Sequence, residues 1–447
     1  MRLAGRHLGR TTVRRSAAFS SSPKQRVVVL GTGWAGYPFM RQLDKTKYDC
    51  TVISPRSYFL FTPLLPSTTV GTLEFRCIEE PVRTIKGCRY LQAEAQDIDF
   101  ESKVIKCKEV FGGGVFDMEF DKLIIAAGAV TNTFGVPGVS EDNHVYFLKQ
   151  LSDARAIRNR LLECFERASS PNMPEAERRK LLTFIVVGGG PTSIEFTSEL
   201  HDFLKKDCSR WYPDLLTMVT VHLIEASGSI MGSFENSLVQ YTTATLAGRK
   251  EVKLHLKQSV REVRPQEAEL GDGTVLPFGL MVWSTGVRPT PLVDKLDLEK
   301  DKGRVVIDKF LRVKGREGSV FAMGDCAAQE DGPLPPLAQV ANQQGNYLAK
   351  SLNSEYGRGQ PTPSAPFKYR HLGSMAQIGD WKAIVDLRAV GMPQLGSAAA
   401  RRSFAGFIAF LSWRSAYWTK TVSIANKILI PMHWFKAAVF GRSISRF

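Results

Sequence analysis

Twice in this chain an apolar, β-prone run ends in a glycine turn and leads into a helical pattern, and this repetition narrows the possible folds more than any other feature. Residues 26–30 run into Gly31-Thr32-Gly33-Trp34-Ala35-Gly36, and residues 182–187 run into Gly188-Gly189-Gly190-Pro191-Thr192-Ser193. A further strand is expected after each turn, at 50–53 and 219–224, which makes βαβ twice. Residues 123–128 and 280–286 read as buried strands ending in glycine, each closing one unit. The charged, helical stretch 151–180, broken at 169–174, bridges into the second unit. After Gly286 the chain is expected to return to the first unit, so the second is inserted in it. Residues 351–366 are polar and proline-rich and read as a linker to a C-terminal module.

Such turns suit a dinucleotide, whose doubly charged diphosphate is best held by the free N–H groups and dipole of a helix N-terminus. Gly31 makes the tight turn, Gly33 lets the backbone approach the phosphates, and Gly36 lets the helix pack on the strand. Gly188, Gly190 and Pro191 open the second loop, where Ser193 stands in place of a third glycine. Gly128 and Gly286, at the ends of the closing strands, are expected against the two cofactors. Glu225 ends the downstream strand of the second unit. A carboxylate there accepts hydrogen bonds from a ribose diol and repels a 2′-phosphate, which predicts NADH over NADPH. The long spacing from Gly188 to Glu225 requires an insertion around 207–216. The first unit lacks such an acid and offers Ser54 for the ribose and Arg56 for the adenine or diphosphate.

Two dinucleotide sites in one chain suit hydride transfer from NADH to FAD, which accepts hydride and releases electrons singly or in pairs. Residues 319–325 read as a strand ending in Gly324-Asp325, with the Asp325 carboxylate placed for a ribityl hydroxyl. A helix is expected to begin near Ala338, its positive end aimed at the flavin.

Residues 54–67 (SPRSYFLFTPLLPS), with Thr62 assigned to the cofactor, resemble a signature of the mitochondrial type II, or alternative, NADH:ubiquinone oxidoreductases. Residues 132–139 (NTFGVPGV), 188–195 (GGGPTSIE) and 338–343 (AQVANQ) resemble the same family. The likeness runs from about residue 25 to the C-terminus. Ser193 departs from it, since the family more often has glycine there, and that touches packing rather than chemistry. The resemblance implies non-covalent FAD, NADH as substrate, ubiquinone as acceptor and no proton pumping. It further implies that Gln339 and Gln343 lie beside the quinone and the flavin ring, and that Glu195 faces the nicotinamide–flavin region as a proton relay. Independently, positions i and i+4 put both amides on one helix face. A glutamate in Glu195's place could also merely complement a helix N-terminus.

The net charge of +15 is concentrated at the ends. Residues 1–22 hold five arginines and no acid, the composition of a mitochondrial transit peptide, with a basic tail as the plainer reading. Residues 387–447 hold nine cations and no acid, and the body between is close to neutral, which argues against nucleic-acid binding. Aromatic and aliphatic residues interleave with those C-terminal cations from Phe404 to Phe440. That pattern reads as amphipathic helices lying in a membrane interface, or as a homodimer contact using the same stripe. No stretch reaches about 18 apolar residues, so no spanning helix is expected. Seven cysteines without C-x-x-C spacing argue against a disulfide framework, the histidines show no ligand spacing, and no metal or EF-hand is expected.

The expected architecture is therefore α/β. Two Rossmann-like dinucleotide-binding domains, FAD at 23–150 and 290–360 and NADH at 151–289, precede a membrane-associating α+β module at 361–447. No apolar stop segment follows the basic N-terminal stretch, which favours the matrix side of the inner membrane. A sulfide:quinone oxidoreductase would need a cysteine pair near the flavin, and an FAD/NADH-binding redox sensor would lack quinone reduction.

Overall fold

The computed structural model describes residues 24–355, 365–388 and 403–446. The expected transit segment, most of the linker and the cations Arg401 and Arg402 lie outside them. Each glycine turn sits at the carboxyl end of the central strand of a five-stranded parallel sheet. In the first sheet the order is Val320–Ala322, Lys122–Ile125, Gln25–Leu30, Tyr48–Ile53, Cys88–Leu91. In the second it is Val145–Phe147, Leu280–Trp283, Thr183–Val187, Thr220–Glu225, Val252–Leu256. Parallel sheets are covered on both faces, so their inner strands read as unbroken apolar runs. Every residue of Thr183–Val187 is buried accordingly. The second sheet takes in Val145–Phe147, ahead of the expected boundary at 151, because this short strand carries no glycine or charge signal of its own.

The two units share more than the glycine turns. Each carries a three-stranded antiparallel meander before its closing strand: Ala93–Asp99, Val104–Glu109 and Val115–Glu119 in one, Val260–Arg264, Glu267–Leu270 and Val275–Pro277 in the other. The chain leaves the first unit along Ala129–Thr131 and returns along Val287–Pro289. These two segments pair antiparallel, which makes the second unit an insertion tied at one place. The bridge is a pair of helices, Leu151–Ala168 and Glu175–Leu181. The insertion before Glu225 forms a π-turn at Leu204–Cys208 and short helical turns up to Met218.

The chain then forms the helix Ala338–Glu355, so the stretch expected as linker from 351 begins as helix. This helix lies against Gly36–Gln42 at a backbone-to-backbone distance only glycine allows. A Cβ on Gly345 would stand 2.2 Å from the Ala35 carbonyl oxygen. Gln344 on the same helix accepts a hydrogen bond from the Gly324 N–H at 2.7 Å, fixing the turn that carries Asp325.

The C-terminal module is an antiparallel sheet of Ser374–Gly379, Lys382–Asp386 and Ser403–Gly406, followed by the helices Phe407–Lys420 and Ile424–Phe440. Its first strand packs on helix Pro191–Phe203 of the second unit. Arg414 lies over the rings of Trp381, Phe410 and Trp434, 4.5–5.3 Å from their centroids. Beyond the last helix, Arg442 pairs with Asp207 at 2.8 Å and Glu199 at 3.6 Å, pinning the chain end to the second unit.

A Gly345→Ala substitution tests the close helix crossing. Alanine gains about 1 kcal/mol in helix propensity, but overpacking against a backbone carbonyl costs roughly 1–3 kcal/mol and cannot be relieved by a side-chain rotation. Thermal unfolding of the holoenzyme is expected to show a lower Tm together with reduced FAD content; an unchanged Tm would mean that the two helices do not press together.

Candidate functional site

A cleft of about 960 Å³ opens along the carboxyl ends of the first sheet. Gly31, Gly33, Ser54, Arg56, Thr62, Gly128, Gly324 and Asp325 line it. The turn that shapes it depends on close backbone contact. Gly31 has φ +107°, and a Cβ on Gly36 would stand 2.2 Å from the Gly31 carbonyl oxygen, so Gly36 supports the loop from behind. A Cβ on Gly128 would meet no protein atom within 4 Å, so that position borders open space. Trp34 donates from Nε1 to the Thr62 hydroxyl at 2.9 Å, locking the glycine loop to the 54–67 segment. Ser54 Oγ accepts from the Arg56 N–H at 3.2 Å, and the Arg56 guanidinium donates to Gln150 Oε1 at 2.8 Å and to the Tyr58 carbonyl at 3.1 Å.

Asp325 is the informative acid of this cleft. Among the described residues no donor reaches its oxygens, and burial raises its pKa against the opposing pull of Lys149 and Arg304. A desolvated carboxylate with open acceptor positions fits a ligand hydroxyl. The helix Ala338–Glu355 begins at the cleft wall with Ala338 and Ala341 lining it, so its positive end borders the site as the sequence suggests. These features fit FAD: a glycine turn at a helix N-terminus, a half-buried carboxylate without a protein donor further along, and a volume suited to a large cofactor. Lys149, Gln150, Glu94 and Gln96 also line the cleft and were not singled out by sequence. They stand on segments with no glycine or strand signal. The capping box of Gln150 and Asp153 marks a helix start but gives no hint of a cleft.

The second unit reaches the same cleft. Thr192, in the first turn of helix Pro191–Phe203, lines it together with Ser284, Thr285 and Gly286 at the end of the closing strand. Gly190 caps this helix, Pro191 occupies its first position, and Gly188 turns at φ +117°. Ser193 is fully buried and shares a hydrogen bond with Ser284 at 2.8 Å, so the hydroxyl in place of glycine has a partner. Glu225 accepts from the Gly189 N–H and from the Ser227 N–H at 2.7 Å. This holds its carboxylate against the second glycine loop.

Glu195 does not line the cleft. It is buried one helical turn behind Thr192, where its Oε1 accepts from the Trp413 indole at 3.2 Å and the Gln377 N–H at 3.3 Å. Burial pushes its pKa up to about 8, the nearby Glu199 adds to this, and the two hydrogen bonds oppose it. Glu199 sits one turn further on and accepts from Ser67 at 2.7 Å, Thr72 at 2.6 Å and the Gln377 side chain at 2.6 Å. The two buried carboxylates thus differ: Glu199 has three short donors and Arg442, whereas Glu195 has two long donors and no cation. Trp413 and Gln377 come from the C-terminal module, about 180 residues or more away in sequence, and no local pattern reveals them.

Gln339 and Gln343 share a helix face, and neither lines the cleft. Gln339 accepts from the Leu372 N–H at 2.9 Å and donates to the Gly373 carbonyl at 3.3 Å. Gln343 accepts from the Arg370 N–H at 3.0 Å and donates to the Arg370 carbonyl at 2.7 Å. A side-chain amide pairs with a peptide group as readily as with a ligand, and these two hold residues 370–373 against the helix that borders the cleft.

Cys326 is buried and its thiol lies against backbone carbonyls, and no cysteine lines the cleft. A sulfide-oxidising arrangement therefore has no sulfur pair at the described site. No helix among the described residues is long and apolar enough to cross a membrane.

Comparison with known proteins agrees with this architecture. Residues 25–345 match the family described as Pyridine nucleotide-disulphide oxidoreductase, and residues 371–443 match the NDH2 C-terminal domain. A relative from Dictyostelium discoideum, named Probable NADH dehydrogenase, is 42% identical over 98% of this chain and 95% of its own length. The potato (Solanum tuberosum) protein named Internal alternative NAD(P)H-ubiquinone oxidoreductase A1, mitochondrial, is 43% identical over 96% of this chain and 89% of its own. The structure of NDH2 from Plasmodium falciparum in complex with NADH superposes with a TM-score of 0.87 at 25% identity, covering 95% of this chain and all of that one. The chain belongs to the pyridine nucleotide-disulphide oxidoreductases and, within them, to the type II, or alternative, NADH:ubiquinone oxidoreductases.

Proposed function

We infer that this enzyme is a non-proton-pumping NADH:ubiquinone oxidoreductase that uses FAD. One observation carries the reading: Thr192 and residues 284–286 of the second unit line the same cleft as the glycine loop and Asp325 of the first. FAD bound there supplies the relay, taking a hydride from NADH and passing two electrons to a quinone. The first glycine turn would hold its diphosphate, and Asp325 would accept from one of its hydroxyls. The second loop would bind NADH, with Glu225 accepting from its ribose diol. Anaerobic mixing with NADH is expected to bleach the flavin, and a soluble quinone analogue to restore its colour. Bleaching without reoxidation by quinone would favour a redox sensor. Glu225→Ala is expected to narrow the preference for NADH over NADPH in kcat/KM, and an unchanged ratio would remove Glu225 from nucleotide selection.

Quinone reduction consumes protons as well as electrons, and Glu195 holds one at neutral pH because its pKa is about 8. We propose that it relays this proton. General acid catalysis contributes typically 10²–10⁴-fold, so Glu195→Gln is expected to slow quinone turnover by roughly 100-fold while flavin bleaching by NADH stays fast. The sign of the pH effect follows from the same group: the acid form is lost as pH rises through about 8, so quinone turnover falls there. Trp413→Phe removes a donor that favours the charged form. It is expected to raise the Glu195 pKa and move this fall to higher pH. A profile that stays in place would separate Trp413 from the relay.

The helices Phe407–Lys420 and Ile424–Phe440 bury Phe410, Trp413, Ile430 and Trp434, yet leave Phe407, Ile408, Ile424, Ile428, Phe435 and Phe440 exposed. We propose that this second apolar face lies in a membrane interface, with Lys420, Lys427 and Lys436 near anionic headgroups at about 1 kcal/mol each. This peripheral mitochondrial enzyme would thereby meet its lipid substrate without spanning the bilayer. That no apolar stop segment follows the basic N-terminal stretch supports the matrix side. Ile428→Glu with Phe435→Glu is expected to abolish co-sedimentation with anionic vesicles while leaving turnover of a soluble quinone analogue. Retained vesicle binding with loss of a dimer would instead assign the face to self-association.

A further inference from the structure

Cys50 and Cys88 face one another across adjacent parallel strands of the first sheet, in direct register, with their sulfur atoms 3.0 Å apart. They are far apart in sequence, and neither belongs to a redox motif. We propose that Cys50 and Cys88 form a reversible dithiol–disulfide site, separate from the flavin cleft and oxidised by a small-molecule disulfide such as glutathione disulfide.

Three features support it. Neighbouring strands lie roughly 4.7–4.9 Å apart, inside the span of roughly 4.4–6.8 Å that a disulfide bridges between Cα atoms, so closure needs little backbone movement. The two thiols also differ in access: Cys50 is buried, whereas Cys88 is half-buried between the exposed Gly87 and Arg89 on the edge strand. Finally, the hydrogen bond from Cys50 draws the Cys88 thiol below its ordinary value, with burial opposing and the Lys45 ammonium adding to the effect. Cys88 is thus the accessible nucleophile and Cys50 the resolving thiol. The other five cysteines are all buried.

The exchange balances. The Cys88 thiolate attacks one sulfur of glutathione disulfide, forming a mixed disulfide and releasing one glutathione thiolate. The Cys50 thiol gives up its proton and attacks the Cys88 sulfur, the protein disulfide forms, and the second glutathione leaves. Two protein thiols are oxidised and one small disulfide is reduced to two thiols. In a reducing compartment the pair rests as thiols, as the structure has it.

The test equilibrates purified holoenzyme with glutathione at increasing oxidised-to-reduced ratios, followed by acid quenching, alkylation and peptide mapping. The expected result is a disulfide joining the Cys50 and Cys88 peptides, with the count of alkylatable thiols falling by two from the seven of the sequence and recovering in dithiothreitol. In Cys50→Ser the reaction is expected to stop at a glutathione adduct on Cys88, because the resolving thiol is gone. A wild-type protein that keeps both thiols free throughout, that stops at the adduct, or that pairs other cysteines first would overturn the proposal.

Discussion

The antiparallel crossing of Ala129–Thr131 with Val287–Pro289 is the constraint on which the site depends. Each nucleotide unit is a complete parallel sheet, and neither alone can bring a hydride donor to an acceptor. Because the chain leaves and re-enters the first unit through two paired strands, the second unit is held where its helix start and closing strand abut the first cleft. Short tethers fix a reaction distance with little loss of loop entropy.

The C-terminal module adds the second condition. Its first strand packs on helix Pro191–Phe203 and its first helix sends Trp413 to Glu195, which is buried with Gln377 and Trp413 as its hydrogen-bond donors. Desolvation without a cation keeps the carboxyl protonated at neutral pH. Four residues along, the same helix holds Glu199 among three donors and Arg442. One helix thus carries two buried carboxylates in unlike environments: Ser67 and Thr72 of the first unit and Arg442 beyond the last helix reach Glu199 and not Glu195, whereas Gln377 of the C-terminal module serves both. The donors that hold Glu195 and the exposed apolar face are parts of one packing unit.

The glycine loops, their strands and the insertion of one unit in the other were legible because backbone requirements leave local marks. A turn at positive φ, or a helix resting on a carbonyl, admits glycine and little else. Asp325 at a strand end and the helix beginning at Ala338 were legible for similar reasons. Gln339 and Gln343 were placed on one helix face by their spacing, but spacing says nothing about what that face meets, and residues 370–373 meet it. Val145–Phe147 and the two meanders escaped notice because short, partly exposed strands have weak patterns.

Sequence alone determined that this chain binds two dinucleotides, that its ends are basic while its body is neutral, and that apolar and basic residues interleave from Phe404 to Phe440. These are properties of local periodicity, glycine placement and charge order. Tertiary structure decided which surfaces share a cleft, that Glu195 lies behind the cleft beneath Trp413, and that Cys50 stands against Cys88. Those outcomes depend on contacts between residues far apart in the chain, where burial and distance set pKa and reactivity, and no local pattern encodes them.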